Sequence, residues 1–541
     1  MKIALAQLNP IMGDLEGNAQ RIRNTALSSG ADIVVFSEMT ITGYPPEDMV
    51  LKPLFQKESM RIARQLAEDL ADGPAVLVGA LWEEEGKPLN VALLMEGGEI
   101  RTMQRKYDLP NYGVFDEKRV FAAGGLPQPL EFHGHKIGLM ICEDMWNIKT
   151  AEALKGVDIL LSMHASPFEI GKRDLRRKRA RQAVERAGAP IVYVNQIGGQ
   201  DDLVFDGGSF VLDKDGNEVL AMVECAEAVS CVVFENGQLQ AEDVSSPRCS
   251  ELESTYRVLM CGLRDYVEKN NFPGVILGLS GGIDSALSAA IAVDALGEER
   301  VRAYMLPSHY TSEESLQDAN ICAKMLGIRL DTIPIVGAYK VLEDALANHF
   351  RKSRDITEEN MQSRLRGLIL MALSNKHGFM VLTTGNKSEY ATGYATLYGD
   401  MCGGYNVLKD VYKTLVFQLS KWRNRHRPLG GLGPKGKVMP QNVIIKAPTA
   451  ELRENQKDED ALPPYEVLDP ILHMLIEEDM SVESVVKEGF DAEMVHRVVT
   501  MLYRSEYKRQ QSAPGVKISP KYFGRDRRYP MTNHFLDGVE S

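Results

Sequence analysis

The sequence predicts an α/β protein in two parts: a large mixed sheet covered by helices, then a doubly wound parallel sheet. Three observations carry this reading. Short β-type runs crowd the first half of the chain, some separated by amphipathic helical patterns. A polar stretch with a proline and several serines, "AEDVSSPRCSELEST" (241–255), breaks that pattern. Beyond it, strand and helix patterns alternate with short connections, which points to parallel strands wound by helices.

In chain order, "KIALAQL", "DIVVFSE", "AVLVGAL", "NVALLME", "KIGLMIC", "DILLSM", "PIVYVNQ" and "SFVLDK" read as strands of the first half. Helices are expected at "NAQRIRNTALSSG", "ESMRIARQLAEDLADG" and "KRARQAVERAG". The polar stretch sets the domain limits at 1–245 and 246–541. The second half opens with the helix "ELESTYRVLMCGLRDYVEKN", the strand "GVILGLS" and a glycine loop that runs into another helix. The strands "VRAYMLP", "RLDTIPI" and "FMVLTTG" follow, with the helix "EESLQDANICAKMLG" and a long helix near 358–377 between them. The Gly/Pro-rich segment 428–448 reads as a loop.

A chain of 541 residues has room for two or three domains. Its 44% apolar and 25% charged residues are ordinary for a soluble enzyme. The net charge of −13 argues against non-specific nucleic-acid binding. The basic run "GKRDLRRKRARQ" (171–182) reads as the solvated face of a helix. The seven cysteines have irregular spacings and no CxxC, so neither a disulfide framework nor a zinc site is expected. The N-terminus has no signal-peptide pattern, and no apolar run approaches the length of a membrane span. A reducing compartment is expected, the cytoplasm, with no membrane partner.

The most informative stretch is "GLSGGIDS", Gly278, Leu279, Ser280, Gly281, Gly282, Ile283, Asp284 and Ser285. It lies between a predicted strand and a predicted helix. Free backbone N–H groups and the helix dipole at such a turn attract phosphate, and the glycines allow close approach. Asp284 beside phosphates needs a bridging cation, so Mg²⁺ is expected there. The loop lacks the lysine of the usual nucleoside-triphosphate loop. It resembles the signature loop of the ATP pyrophosphatase family, which splits ATP between the α and β phosphates and adenylates an oxygen. The resemblance implies a doubly wound parallel sheet of that type, with ATP as substrate.

Cys142 ends the apolar run "IGLMI". Glu38 in "VVFSEMTITGYPPEDM" and Lys106 in "QRKYDLPNYGVFDEKRVFAAG" stand at other strand ends. Glu, Lys and Cys in this order resemble the nitrilase family of carbon–nitrogen hydrolases, which implies an α-β-β-α sandwich. A thiolate attacks an amide carbon, a carboxylate takes the thiol proton, and an ammonium stabilises the oxyanion. The resemblance therefore makes Cys142 the nucleophile, Glu38 the base and Lys106 the oxyanion partner. Glu117 is either a second carboxylate of the site or half of a surface ion pair.

An amide-cleaving half fused to an adenylating half implies ammonia transfer. Stretches such as "GGQDDLVFDGGS", "TTGNKSEYATGYATLYGDMCGGY" and "PTAELRENQKDEDALPPYEVLD" are similar to the glutamine-dependent NAD⁺ synthetase family. The resemblance implies that ATP and Mg²⁺ adenylate deamido-NAD and that ammonia from glutamine displaces AMP. It assigns Tyr112, Ser166 and Lys172 to glutamine. It assigns Thr384 to ATP, with Lys413 and Thr449 nearby. Asn360, Glu389 and Lys508, with Arg364, fall to deamido-NAD, and Asp284 and Glu389 to Mg²⁺. His164 stands where that family often has Asn, and Leu397 about where smaller ammonia-dependent synthetases carry lysine. The resemblance also implies a homo-oligomer based on dimers, reaching an octamer. Two rival readings are a different ligase of the ATP pyrophosphatase group and a nucleotide-binding regulator without catalysis.

Overall fold

The computed structural model describes residues 1–350 and 354–535. Two compact units divide the chain, Met1–Ser250 and Glu251–Ser541.

The first unit is built on two sheets. One has seven strands in the spatial order Gln238–Ala241, Ala228–Glu235, Lys2–Gln7, Ile33–Val35, Ala75–Glu84, Lys87–Glu96 and Glu99–Arg105. The other has six, in the order Glu218–Ala221, Phe210–Leu212, Ile191–Asn195, Ile159–His164, His135–Ile141 and Leu130–Phe132. Side chains alternate across each strand. Ile3 and Leu5 join Leu139, Leu161 and Val192 in the core between the sheets. Ala4 and Ala6 face the other way, against the helices Leu15–Ser28 and Pro53–Asp69. Met140, Leu160 and Tyr193 meet the helix Lys172–Ala187 on the outer face of the second sheet. The result is an α-β-β-α sandwich. Its central strands are buried on both faces, which explains why their sequences read as continuous apolar runs rather than alternating ones. The strands Glu99–Arg105, Ala228–Glu235 and Gln238–Ala241, at or next to the sheet edges, escape the sequence reading because they are partly exposed and carry polar residues.

The second unit carries a five-stranded parallel sheet in the order Arg329–Thr332, Val301–Met305, Val275–Gly278, Met380–Thr383 and Tyr405–Asn406. The chain moves outward on one side of Val275–Gly278 and resumes on the other, so the strand order reverses there. Ligands of open α/β sheets bind at the carboxyl ends of strands beside such a switch point. "GLSGGIDS" lies at that end, and the helix Ile283–Leu296 starts within it. The segment 428–448 is mostly loop, with one short helix, Gln441–Ile445. Arg423 shapes it by pairing with Asp294 and donating to the carbonyls of Pro434 and Gly436. The helices Tyr465–Ile476 and Ala492–Arg504 add a separate apolar cluster. No helix among the described residues is long and apolar enough to cross a membrane.

Candidate active sites

In the first unit, Lys106 follows the strand Glu99–Arg105 directly, and Cys142 follows His135–Ile141 directly. Glu38 lies just past Ile33–Val35. All three are buried. The Lys106 ammonium donates to Glu38 at 2.7 Å and to Glu117 at 2.9 Å. Glu38 also accepts from the Asn90 amide at 2.8 Å and from the backbone N–H of Ala165 at 3.0 Å. Tyr44 donates its hydroxyl to Glu117 at 2.7 Å. Glu117 thus sits inside the cluster, not in a surface ion pair.

Cys142 has φ +50°, in the left-handed region that β-carbon-bearing residues rarely adopt. Asp144 holds this turn. One of its oxygens accepts from the N–H of Ile141, and the other accepts from the N–H groups of Tyr107 and Asp108, just past Lys106. The turn and the lysine segment are therefore tied through one carboxylate.

The electrostatics decide what this site can do. Burial pushes the Cys142 thiol well above its ordinary pKa; Glu38 adds to that shift and Lys106 opposes it. The free site therefore holds a thiol rather than a thiolate. Burial opposes the charge on Lys106, but Glu117 and Glu38 outweigh it and keep the ammonium protonated. Glu117 is pushed up to about 7 by burial, with Lys106 opposing and Glu38 reinforcing.

The expected glutamine residues gather beside this centre. Tyr112 bonds the carboxylate of Glu143, next to the cysteine, at 3.0 Å. Lys172 pairs with Glu169 at 3.2 Å and lies over the Phe115 ring, against which Tyr112 packs edge-on. Ser166, next to Ala165, donates its N–H to Asn195 at 2.9 Å. His164 is fully buried, stacks on Tyr193 at 3.9 Å between ring centres, and bonds Ser162 through Nε2. Burial first, then Arg176 and Lys106, hold its pKa well below the ordinary histidine value, so it is neutral.

The run 171–182 departs from expectation at one residue. Arg176 is buried and pairs both its ends: with Asp206 at 2.8 Å, and with the carbonyls of Ser166 and Pro167 at 2.8 Å. Removing one partner of a buried pair leaves an uncompensated charge. Asp206→Ala is expected to destabilise the first unit by about 3–5 kcal/mol, measured as a lower denaturation midpoint for that unit; an unchanged midpoint rejects this.

In the second unit, a cavity of about 360 Å³ is lined by Gly278, Leu279, Ser280, Gly282, Ile283, Asp284 and Ser285. Gly281 is absent from the lining but has φ +84°, and a β-carbon there would meet the Ser315 carbonyl oxygen at 2.3 Å. Thr384, Asn360, Glu389, Lys413, Thr449 and Lys508 line the same cavity. Arg364 does not; it reaches the carbonyl of Leu397 at 3.2 Å. Leu397 packs at the edge of the C-terminal apolar cluster. Asn360 accepts from Thr396, and Lys508 donates to the carbonyls of Gly393 and Ala395.

Asp284 forms an ion pair with Lys413 and accepts from Asn386 at 3.0 Å. Asn386 also exchanges hydrogen bonds with Glu389 as a capping box, and Lys413 lies 3.7 Å from Glu389. Burial, then Asp284, pushes the Glu389 carboxyl well above the usual range, with Lys413 opposing. Two carboxylates are thus held at the glycine loop. Among the described residues there is no ready-made group of three or more metal-ligating side chains. That donor set suits Mg²⁺, which takes one or two carboxylates and fills its shell with phosphate oxygens and water. Sequence reading missed Tyr44, Asn90, Asp144 and Asn386. Only Asn386 left a signal, the spacing "NKSE" of a capping box.

A carbon–nitrogen hydrolase centre and a phosphate-binding α/β domain in one chain define a two-domain amide-forming enzyme. The carbon-nitrogen hydrolase family model matches residues 2–232, and the NAD synthase model matches residues 255–512. The glutamine-dependent NAD(+) synthetase of Rhodobacter capsulatus is 47% identical over 99% of both chains. That of Thermotoga maritima is 43% identical over 99% of both. The solved glutamine-dependent NAD+ synthetase of Acinetobacter baumannii, in complex with ADP, is 41% identical, covers 99% of each chain and superposes with a TM-score of 0.78. The Cytophaga hutchinsonii enzyme of that name, at 21% identity and TM-score 0.82, shares the fold. The chain belongs to the glutamine-dependent NAD(+) synthetase family.

Proposed function

We propose that the chain makes NAD⁺ from deamido-NAD, ATP and glutamine. Its glutaminase domain spans 1–245 and its synthetase domain 246–541. The observation that carries this is the presence, in one chain, of a buried Glu38–Lys106 pair beside a strained Cys142 and a cavity floored by a glycine loop.

Cys142 attacks the side-chain amide of glutamine, and Glu38 takes the thiol proton as the C–S bond forms. Lys106 faces the developing oxyanion, Glu38 passes that proton to the amide nitrogen, and ammonia leaves as the C–N bond breaks. Water then hydrolyses the thioester to glutamate. Tyr112, Ser166 and Lys172 hold the glutamine. In the second domain the glycine loop and Thr384 hold ATP, while Asn360, Glu389 and Lys508 hold deamido-NAD. The nicotinate carboxylate attacks the α-phosphorus and pyrophosphate departs. Ammonia displaces AMP from the acyl adenylate and forms the nicotinamide. Asp284 and Glu389 would hold Mg²⁺, which neutralises phosphate charge when bound. The test is product analysis: one AMP, one pyrophosphate and one glutamate per NAD⁺ support the reading, and ADP with inorganic phosphate rejects it.

Glu117 gives this reading a pH signature. Deprotonated, it pairs with Lys106; protonated, it does not. The kcat/KM for glutamine, followed as glutamate release, is expected to rise with pH through a limb near about 7. Glu117→Gln removes the limb. A flat glutamine profile across that range rejects the role of Glu117.

The enzyme works in the cytoplasm, where its nucleotide substrates are made, as a dimer-based homo-oligomer. A monomer in analytical ultracentrifugation rejects the assembly.

A further inference from the structure

The synthetase cavity is lined by four basic side chains, Arg366, Lys413, Lys446 and Lys508. Two are neutralised within the protein. Lys413 pairs with Asp284, and Lys446 pairs with Asp318 at 2.8 Å. Lys508 is spent on two backbone carbonyls. Arg366 differs. Its Nε donates to the carbonyl of Leu306 at 2.9 Å, and among the described residues its guanidinium has no ion-pair partner.

Two carboxylates lie in its neighbourhood, and both are engaged elsewhere. Glu451 accepts from Ser312 at 2.7 Å and Ser315 at 2.8 Å. Asp400 accepts from Ser363 at 2.9 Å and from the N–H of Thr396 at 2.8 Å. Burial pushes the arginine down to about 10, and these carboxylates only partly offset it. A partly desolvated guanidinium with no direct ion-pair partner is less favourable than a paired one. An anionic ligand removes that penalty, and the planar fork suits phosphate.

The surroundings identify the anion. Leu306 lies two residues past Tyr304, whose carbonyl accepts the N–H of Leu279. The arginine's anchor therefore sits beside the glycine loop. A β-carbon on Gly278 would touch Leu370, one helical turn after Arg366 on the helix Ile356–His377. The same helix thus packs over the end of the strand Val275–Gly278 and presents Arg366 one turn away. Ser315, which bonds Glu451, closes the other side of the loop against Gly281.

We infer that Arg366 binds a phosphate group of the ATP held by the glycine loop, as a second wall opposite the loop's backbone N–H groups. The inference rests on the reading of this cavity as the ATP site.

The experiment is calorimetric titration of ATP with Mg²⁺, and separately of deamido-NAD, into wild type, Arg366→Gln, Arg366→Lys and Gly281→Ala. Arg366→Gln is expected to weaken ATP about 30-fold, the scale of one charge-assisted hydrogen bond, and to leave deamido-NAD within about threefold. Lysine lacks the Nε that anchors to Leu306, so Arg366→Lys is expected to lose about fivefold or more. ATP affinity within about twofold of wild type in Arg366→Gln overturns the inference, as does a loss confined to deamido-NAD. Should Arg366→Gln not unfold cooperatively, Arg366→Lys decides by the same criterion. Undiminished ATP binding by Gly281→Ala instead overturns the reading of the loop on which the inference rests.

Discussion

Cys142→Ala is expected to lower glutamine-driven NAD⁺ formation by about 10⁴-fold or more, the scale of losing a covalent nucleophile. With ammonium chloride as nitrogen source the same variant is expected to run at the wild-type rate. The contrast follows from chemistry. In the proposed reaction the amide is cleaved through a thioester on Cys142, which alanine cannot form. Glu38 keeps its bonds from Lys106, Asn90 and the Ala165 N–H, because none of them involves Cys142. The substitution removes one sulfur atom from a turn held by Asp144, so the unit keeps its fold. Alanine at φ +50° carries the same backbone strain as cysteine. Equal loss with both nitrogen sources would mean that Cys142 does not serve glutamine alone, and the two-site reading would fail.

Legibility in the sequence followed distance along the chain. Glu38, Lys106 and Cys142 stand out because their order, each at a strand end, resembles the nitrilase family; the ends belong to strands of both sheets. The glycine loop stands out because strand, turn and helix are consecutive. Tyr44, Asn90 and Asp144 do not stand out. Each matters through a bond to a residue 36 to 73 positions away, which no local pattern encodes. Arg176 misled for the opposite reason. It sits in a basic run with helical spacing, and nothing local distinguishes the one residue that turns inward to Asp206. The helices after 465 went unread although Val495, Val498, Val499 and Leu502 of Ala492–Arg504 lie at helical spacing.

Asp284→Asn is expected to lower NAD⁺ formation from either nitrogen source by about 10³-fold, the scale of removing a preorganised electrostatic contact. Glutamate release from glutamine is expected to persist, since Cys142, Glu38 and Lys106 are untouched. Asparagine keeps the size of the side chain and can still accept from Asn386. It loses the charge that pairs with Lys413 and that would hold Mg²⁺. Lys413 is then left with Glu389, 3.7 Å away, as its partner. Relief from the Asp284 charge lowers the pKa of Glu389, because that charge is the second cause of its upward shift. Glu389 is then the carboxyl left beside Lys413, and the cavity presents fewer carboxylate oxygens to a cation. The loss should fall on kcat with ammonia, because adenylation needs the phosphate charge balanced as pyrophosphate departs. Raising Mg²⁺ should restore little of it. Near-wild-type NAD⁺ synthesis by Asp284→Asn at ordinary Mg²⁺ would remove Asp284 from the site and leave Glu389 to be tested in its place.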